Sequence, residues 1–198
     1  MIRRAVDIVF GFLALTVLSP IFAVIGVSVL LSSGRPIFYA GERVGRGGRV
    51  FRMWKFRTMV ANADRSGSVS GPNDLRVTGI GRVLRRTKLD ELPQFINLVR
   101  GDITLVGPRP EVPHVVAGYT ESQTRILQFT PGITAPGELY FTKVQEPSIP
   151  EGVDAEEYFI QELLDPKIQI DVDYFSTRSF TSDCRIIWET LRLMVSRV

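Results

Sequence analysis

The sequence predicts a mixed α/β chain that is mainly helical, with an apolar helix-break-helix over residues 1–34 followed by one compact domain over residues 35–198. Three observations predict it. Residues 8–33 contain no charged side chain, residues 36–59 form two aromatic-rich runs about a glycine turn, and helical periods recur from residue 79 onwards. A length of 198 residues suits one core. Hydrophobic residues at 44% and charged residues at 23% exclude a disordered chain and a polytopic transporter. The net charge of +3, from 24 basic and 21 acidic residues, is too small to imply a nucleic-acid partner. With one cysteine, Cys184, and one histidine, His114, neither an internal disulfide nor a histidine- or cysteine-rich metal site can be built. Any metal would be a hard cation held by carboxylates.

The uncharged run would be about 39 Å long as a straight helix, so a bilayer is an expected partner. It is too long for a secretory signal and has no clear small-x-small cleavage site. Pro20 lacks an N–H and clashes with the carbonyl four residues back, which predicts a bend at Ser19-Pro20. Arg3 and Arg4 precede the run, while Arg35, Arg43, Arg46 and Arg49 follow it, and basic flanks prefer the cytoplasm. Two arrangements stay open on these grounds: a kinked spanning helix, and a re-entrant pair that leaves the rest of the chain cytosolic.

The hairpin PIFYAGERVGRGGRVFRMWKFRTM turns at residues 45–48. Arg43, Arg46, Arg49, Arg52, Lys55 and Arg57 interleave with Tyr39, Phe51, Trp54 and Phe56, a pattern suited to anionic headgroups, phosphates or single-stranded nucleic acid, or to a plain solvated face, and the apolar run next door favours lipid phosphate over RNA. Residues 60–75 are rich in Gly, Ser, Asn and Asp and read as a loop beside the site. IGRVLRR is short, amphipathic and basic. TKLDELPQFINLVRG then has a helix-start signature, with Asp90, Glu91 and Pro93 in the first turn and Gly101 as the stop. Two proline turns follow, at residues 107–110 and 131–134. Residues 112–129 carry a helical period between them, and residues 138–153 read as loop with scattered strand propensity. Residues 183–198 form an amphipathic helix, either interfacial or core-packed.

Two carboxylates at a helix N-terminus, with Lys55, Arg57, Arg85, Arg86, Lys88 and Arg109 about them, suit phosphate chemistry. Arginines hold phosphate oxygens, one carboxylate can hold Mg²⁺, and another can attack phosphorus. Adjacent helical residues point about 100° apart, so Asp90 and Glu91 favour separate roles over a proton-sharing dyad. The plain alternative is that they complement a helix dipole, in a non-catalytic membrane-surface module binding anionic lipid.

These stretches together resemble the bacterial sugar transferases, the small monotopic phosphoglycosyl transferases, over nearly the whole chain. The resemblance rests on the apolar segment with Ser19-Pro20, Lys55-Phe56-Arg57-Thr58-Met59, Leu89-Asp90-Glu91-Leu92-Pro93-Gln94, Arg100-Gly101-Asp102 leading to Gly107-Pro108-Arg109-Pro110, and Pro131-Gly132-Ile133-Thr134. Asp171, Tyr174 and Asp183 also look like its C-terminal pattern. It implies transfer of a sugar 1-phosphate from a UDP-sugar to a polyprenol phosphate such as undecaprenyl phosphate, with release of UMP and assistance by Mg²⁺. Asp90 would be the nucleophile, Glu91 would position Mg²⁺ or handle a proton, and both are candidate metal ligands. Lys55, Arg57, Arg85 and Arg109 would bind substrate. The resemblance favours the re-entrant arrangement, with interfacial helices and the catalytic domain on the cytoplasmic face of the bacterial inner membrane. It also reads the chain as a minimal unit without the extra N-terminal helices of larger relatives. After Thr134 the chain runs Ala135-Pro136-Gly137-Glu138, where the family generally continues with another glycine, a departure that bears on substrate preference.

Overall fold

A computed structural model describes residues 2–60, 63, 75–150 and 152–196. Helix α1 (Ile2–Val17) and helix α2 (Ser19–Ser33) meet at a 61° bend, and among the described residues no single helix is long and apolar enough to cross a membrane. Pro20 sits in the first turn of α2, where its missing N–H costs nothing. The Ser19 hydroxyl donates to the Thr16 carbonyl at 2.8 Å, satisfying a group at the break.

Polar residues at the start of α1 fasten the pair to the rest of the chain. Arg4 donates to the carbonyls of Leu98 and Val99, each at 2.6 Å, and so caps α4 (Gln94–Arg100). Buried Asp7 accepts from the Thr104 hydroxyl at 2.7 Å and the Leu105 N–H at 3.0 Å, at strand β3 (Thr104–Val106). Arg3 pairs with Asp183 at 2.9 Å on helix α10 (Phe180–Ser196). Gly11 lets α1 approach α4 closely, since a Cβ there would lie 2.9 Å from Val99. The opposite faces stay uncovered, with Phe12, Leu13, Val17, Val24, Val27 and Leu31 exposed.

Strands β1 (Phe38–Val44) and β2 (Val50–Phe56) pair antiparallel, Tyr39 opposite Lys55, as the hairpin reading expects. Gly47 and Gly48 supply the positive φ of 69° and 79° that the turn needs. Phe56 faces α2, packing with Ile25, Val29 and Leu84. Asn97 of α4 accepts from the Trp54 N–H and donates to the Arg52 carbonyl, which fixes α4 against β2. Helix α3 (Gly79–Arg86) is capped by Thr78.

Four expectations need correction. Asp90 and Glu91 do not open the helix that follows them: they lie in a separate 3₁₀ turn, Leu89–Glu91, entered through Lys88 at φ 57°, with Pro93 as the N-cap of α4. Residues 107–110 are a loop as the first proline turn predicts, but the second turn is not, because Gly132–Thr134 forms β4 and pairs in parallel with β3, and Gly107 and Gly132 touch where neither has room for a Cβ. Residues 112–129 hold α5 (Pro113–Ala117), α6 (Glu121–Thr124) and a 3₁₀ turn in place of one helix, because Gly118 ends α5 and Thr120 with Gln123 forms a capping box. Much of 138–153 is helical, from α7 (Pro136–Tyr140) through a π-helical turn over Phe141–Gln145, since packing on α9 (Leu164–Thr177) overrides strand propensity. Helix α8 (Ala155–Tyr158) runs into α9 through a second π-helical turn. The loop read over residues 60–75 falls largely on 61, 62 and 64–74, outside the described residues.

Helix α10 packs one apolar face and leaves another uncovered. Ile186 packs against Val106, Ala135, Leu139 and Phe175, whereas Phe180, Trp188 and Leu191 are exposed.

Arg57, expected to bind substrate, lies at the end of α2 and holds it. Its guanidinium is buried and donates to the carbonyls of Arg35 at 2.7 Å, Gly34 at 2.8 Å and Ser33. Replacing Arg57 by Met would leave three carbonyls without donors, a cost of roughly 3 kcal/mol. Thermal unfolding in detergent is expected to show a clearly lowered midpoint, and an unchanged midpoint would contradict this capping role.

Candidate active site

Three segments distant in sequence converge on Glu91. Lys55 arrives from β2 and Arg109 from the turn after β3, where Pro108 and Pro110 fix the backbone and the close contact of Gly107 with Gly132 sets its position. A single oxygen, Glu91 Oε1, accepts from Lys55 Nζ at 2.8 Å and from Arg109 Nη2 at 2.7 Å. Burial pushes the Glu91 carboxyl up, but Arg109 and Lys55 outweigh it and hold the group well below the usual carboxylate range. Burial lowers Lys55, against the attraction of Glu91.

Asp90, one residue earlier, is placed differently. It is 5% exposed, and among the described residues its buried Oδ1 has no hydrogen-bond partner. Burial raises its pKa, opposed by Lys55, and neighbouring Glu91 raises it further. Lys88 and Arg85 act in the other direction. Arg85 also donates through Nε to the Thr58 hydroxyl at 2.9 Å. Of the four cations expected to bind substrate, Lys55 and Arg109 therefore meet at Glu91, Arg85 exerts its charge on Asp90, and Arg57 is spent on the end of α2.

The network extends beyond anything read from the sequence. Arg109 Nε faces Glu138 Oε1 at 3.6 Å, Glu138 Oε2 faces Lys167 Nζ at 3.7 Å, and Lys167 Nζ donates to Glu111 Oε1 at 2.7 Å. Lys167 also lies over the rings of Phe141 and Phe159, at 5.6 and 5.2 Å from their centroids. Signs alternate along the chain Lys55, Glu91, Arg109, Glu138, Lys167, Glu111, so each buried charge has an opposite neighbour. Glu138 and Glu91 raise Arg109 well above its usual value. The available signals were local: Glu111 directly follows Arg109-Pro110, and Lys167 stands four residues before Asp171.

Chemically, a buried carboxylate with an unpartnered oxygen, beside fixed cations, can serve as a nucleophile toward phosphorus, with the cations stabilising charge that develops on phosphate oxygens. The sequence matches the family described as bacterial sugar transferase over residues 1–197. The chain belongs to that family. It is 32% identical over 198 residues to the UDP-N-acetylgalactosamine-undecaprenyl-phosphate N-acetylgalactosaminephosphotransferase of Aeromonas hydrophila, covering 98% of this chain and 44% of that protein. It is 33% identical over 199 residues to the UDP-glucose:undecaprenyl-phosphate glucose-1-phosphate transferase of Escherichia coli, covering 96% of this chain and 39% of the relative. An uncharacterized sugar transferase of Bacillus subtilis, EpsL, is 32% identical over 191 residues, which cover 96% of this chain and 86% of EpsL. The chain thus spans less than half the length of the first two relatives, at 44% and 39%.

Behind the network, Asp171 of α9 accepts the Gly137 N–H at 2.7 Å, and burial raises its pKa to about 7, against that hydrogen bond and Lys167. The folded protein therefore keeps a proton on Asp171 that the unfolded chain releases. This group's contribution to stability is full below its unfolded pKa and is lost as pH rises to about 7. Asp171→Asn keeps an acceptor for Gly137 but removes the titration. The melting temperature of the variant minus that of the wild type is expected to grow between about pH 5 and pH 8; a constant difference would contradict the assignment.

Proposed function

We propose that this family member is a phosphoglycosyl transferase that moves a sugar 1-phosphate from a UDP-sugar to a membrane polyprenol phosphate. The observation that carries this reading is the unequal treatment of two adjacent carboxylates: Glu91 is tied to Lys55 and Arg109, while Asp90 keeps an unpartnered oxygen among cations. The names of the Aeromonas and Escherichia relatives, which pair a UDP-sugar with undecaprenyl phosphate, support the substrate classes.

In the proposed reaction Asp90 Oδ1 attacks the β-phosphorus of the donor. The bond from that phosphorus to the bridging oxygen breaks, UMP leaves with the electron pair, and an aspartyl-phosphosugar forms. A phosphate oxygen of the polyprenol phosphate then attacks the same phosphorus, freeing the Asp90 carboxylate and giving polyprenol-diphosphate-sugar. Arg109 Nη1 makes no hydrogen bond among the described residues, which leaves it for a phosphate oxygen. Because the nucleotide departs before the lipid arrives, one cationic site can serve both phosphates in turn.

Mg²⁺ fits the donor set. The Asp90 and Glu91 carboxylates would be its hard ligands, and this ion needs only one or two carboxylates besides water and substrate phosphates. Among the described residues no third acidic, histidine or cysteine side chain completes a protein-only cage. The ion would neutralise phosphate charge when bound.

The lipid-bound acceptor requires a site at headgroup level. The bent helix pair and the exposed stripe of Phe180, Trp188 and Leu191 on α10 support a re-entrant, interfacial seat on the cytoplasmic face of the inner membrane.

The reading is tested by UMP release from detergent-purified protein given Mg²⁺, a polyprenol phosphate and a panel of UDP-sugars. Wild-type protein is expected to release UMP from at least one donor, and Asp90→Asn to reduce the rate by about a thousandfold or more while remaining folded. A fully active Asp90→Asn would overturn the nucleophile role of Asp90, and no release from any donor by folded wild-type protein would favour the non-catalytic membrane-surface module.

A further inference from the structure

The second carboxylate on Arg109 is built by the segment in which the chain departs from the family pattern. Ala135 is wholly buried, Pro136 opens α7, and the next residue lies so close to α9 that only glycine fits. A Cβ on Gly137 would sit 2.5 Å from the Lys167 carbonyl oxygen and 2.8 Å from Asp171. The Gly137 N–H is held by Asp171 Oδ1 at 2.7 Å. With the backbone pinned there, the next side chain, Glu138, lies between Arg109 and Lys167.

From this geometry we infer that Glu138 is a positioning residue that, together with Glu91, fixes the Arg109 guanidinium and tempers the positive charge offered to the substrate. The inference rests on the proposed transfer reaction. Glu91 takes Arg109 Nη2 and Glu138 faces its Nε, so the guanidinium plane is set by carboxylates from two different elements and Nη1 is presented in a fixed direction. Lys167 is what lets Glu138 stand there charged. It is 5% exposed at its side chain, already donates to Glu111, and supplies the opposing charge that a buried carboxylate needs. The chain from Lys55 to Glu111 carries three cations and three carboxylates, so removing the Glu138 charge leaves the site one unit more positive.

Two opposite consequences follow for Glu138→Gln. A freer Arg109 misdirects its contact in the transition state, which slows turnover, while the added positive charge tightens binding of an anionic donor in the ground state. Steady-state kinetics on the detergent-purified full chain is expected to show kcat lowered about tenfold with donor KM lowered about threefold. Glu138→Asp, which keeps the charge, is expected to recover kcat to within about threefold of wild type. A role in folding alone cannot lower KM. A kcat unchanged in Glu138→Gln, or a loss in both variants with KM unchanged or raised, would overturn the inference.

A second measurement needs no turnover. Hydrogen exchange at the Arg109 Nε–H of the wild-type protein, followed by NMR and assigned with Arg109→Lys, is expected to be at least about tenfold slower than at the exposed Arg185 Nε–H, which has a single carboxylate partner. Equal rates would overturn the positioning role. If the wild type transfers nothing, the proposed function falls by itself, and this exchange rate still decides whether Arg109 is held.

Discussion

One oxygen atom organises the site. Glu91 Oε1 receives both Lys55 and Arg109, and because all three groups are largely withdrawn from water, none can be moved without stranding a charge. That constraint reaches outward. Strand β2 must deliver Lys55, the 3₁₀ turn entered through Lys88 must deliver Glu91, and the β3–β4 pair must deliver Arg109 by a contact that only glycines at 107 and 132 permit. It also separates the two acidic neighbours. The cations that hold Glu91 ionised leave Asp90 Oδ1 unpartnered, so environment alone gives adjacent carboxylates different chemistry.

The same logic ties the apolar helix pair to the site. Arg4 caps α4, which follows the Asp90-Glu91 turn; Asp7 holds β3, which leads to Arg109; and Arg57, two residues after Lys55, closes the end of α2. Each attachment lies within a few residues of a site segment. On the proposed function, the depth of these helices in a bilayer therefore sets the height at which donor and lipid phosphates meet. The exposed aromatic residues of α10 belong to the same arrangement, since Arg3 and Asp183 bring its first turn against α1.

Much of this was legible where a local signal is strong. Pro20 in an uncharged run, glycines 45, 47 and 48 between aromatic runs, and Gly101 after an apolar period mark the bend, the hairpin and the end of α4. Lys55, Asp90, Glu91 and Arg109 were readable as residue types suited to phosphate. What stayed hidden depends on contacts between distant segments. The three-residue strands β3 and β4 are too short to show a period, and α7 forms because Leu139 and Gly137 pack against distant partners on α9 and α10. That Arg57 would donate to the carbonyls at the end of α2 is not written in its neighbours, and nothing in the spacing of Glu138 and Lys167 announces that they meet.

The division of labour between Asp90 and Glu91 is the centre of the account, and it is tested most directly by trapping. Protein mixed with its UDP-sugar donor in the absence of any polyprenol phosphate, quenched in acid and digested, would be mapped by mass spectrometry for a peptide heavier by one sugar phosphate. That mass is expected on Asp90. The same mass on Glu91, or no adduct from protein that turns over rapidly once polyprenol phosphate is added, would contradict the assignment.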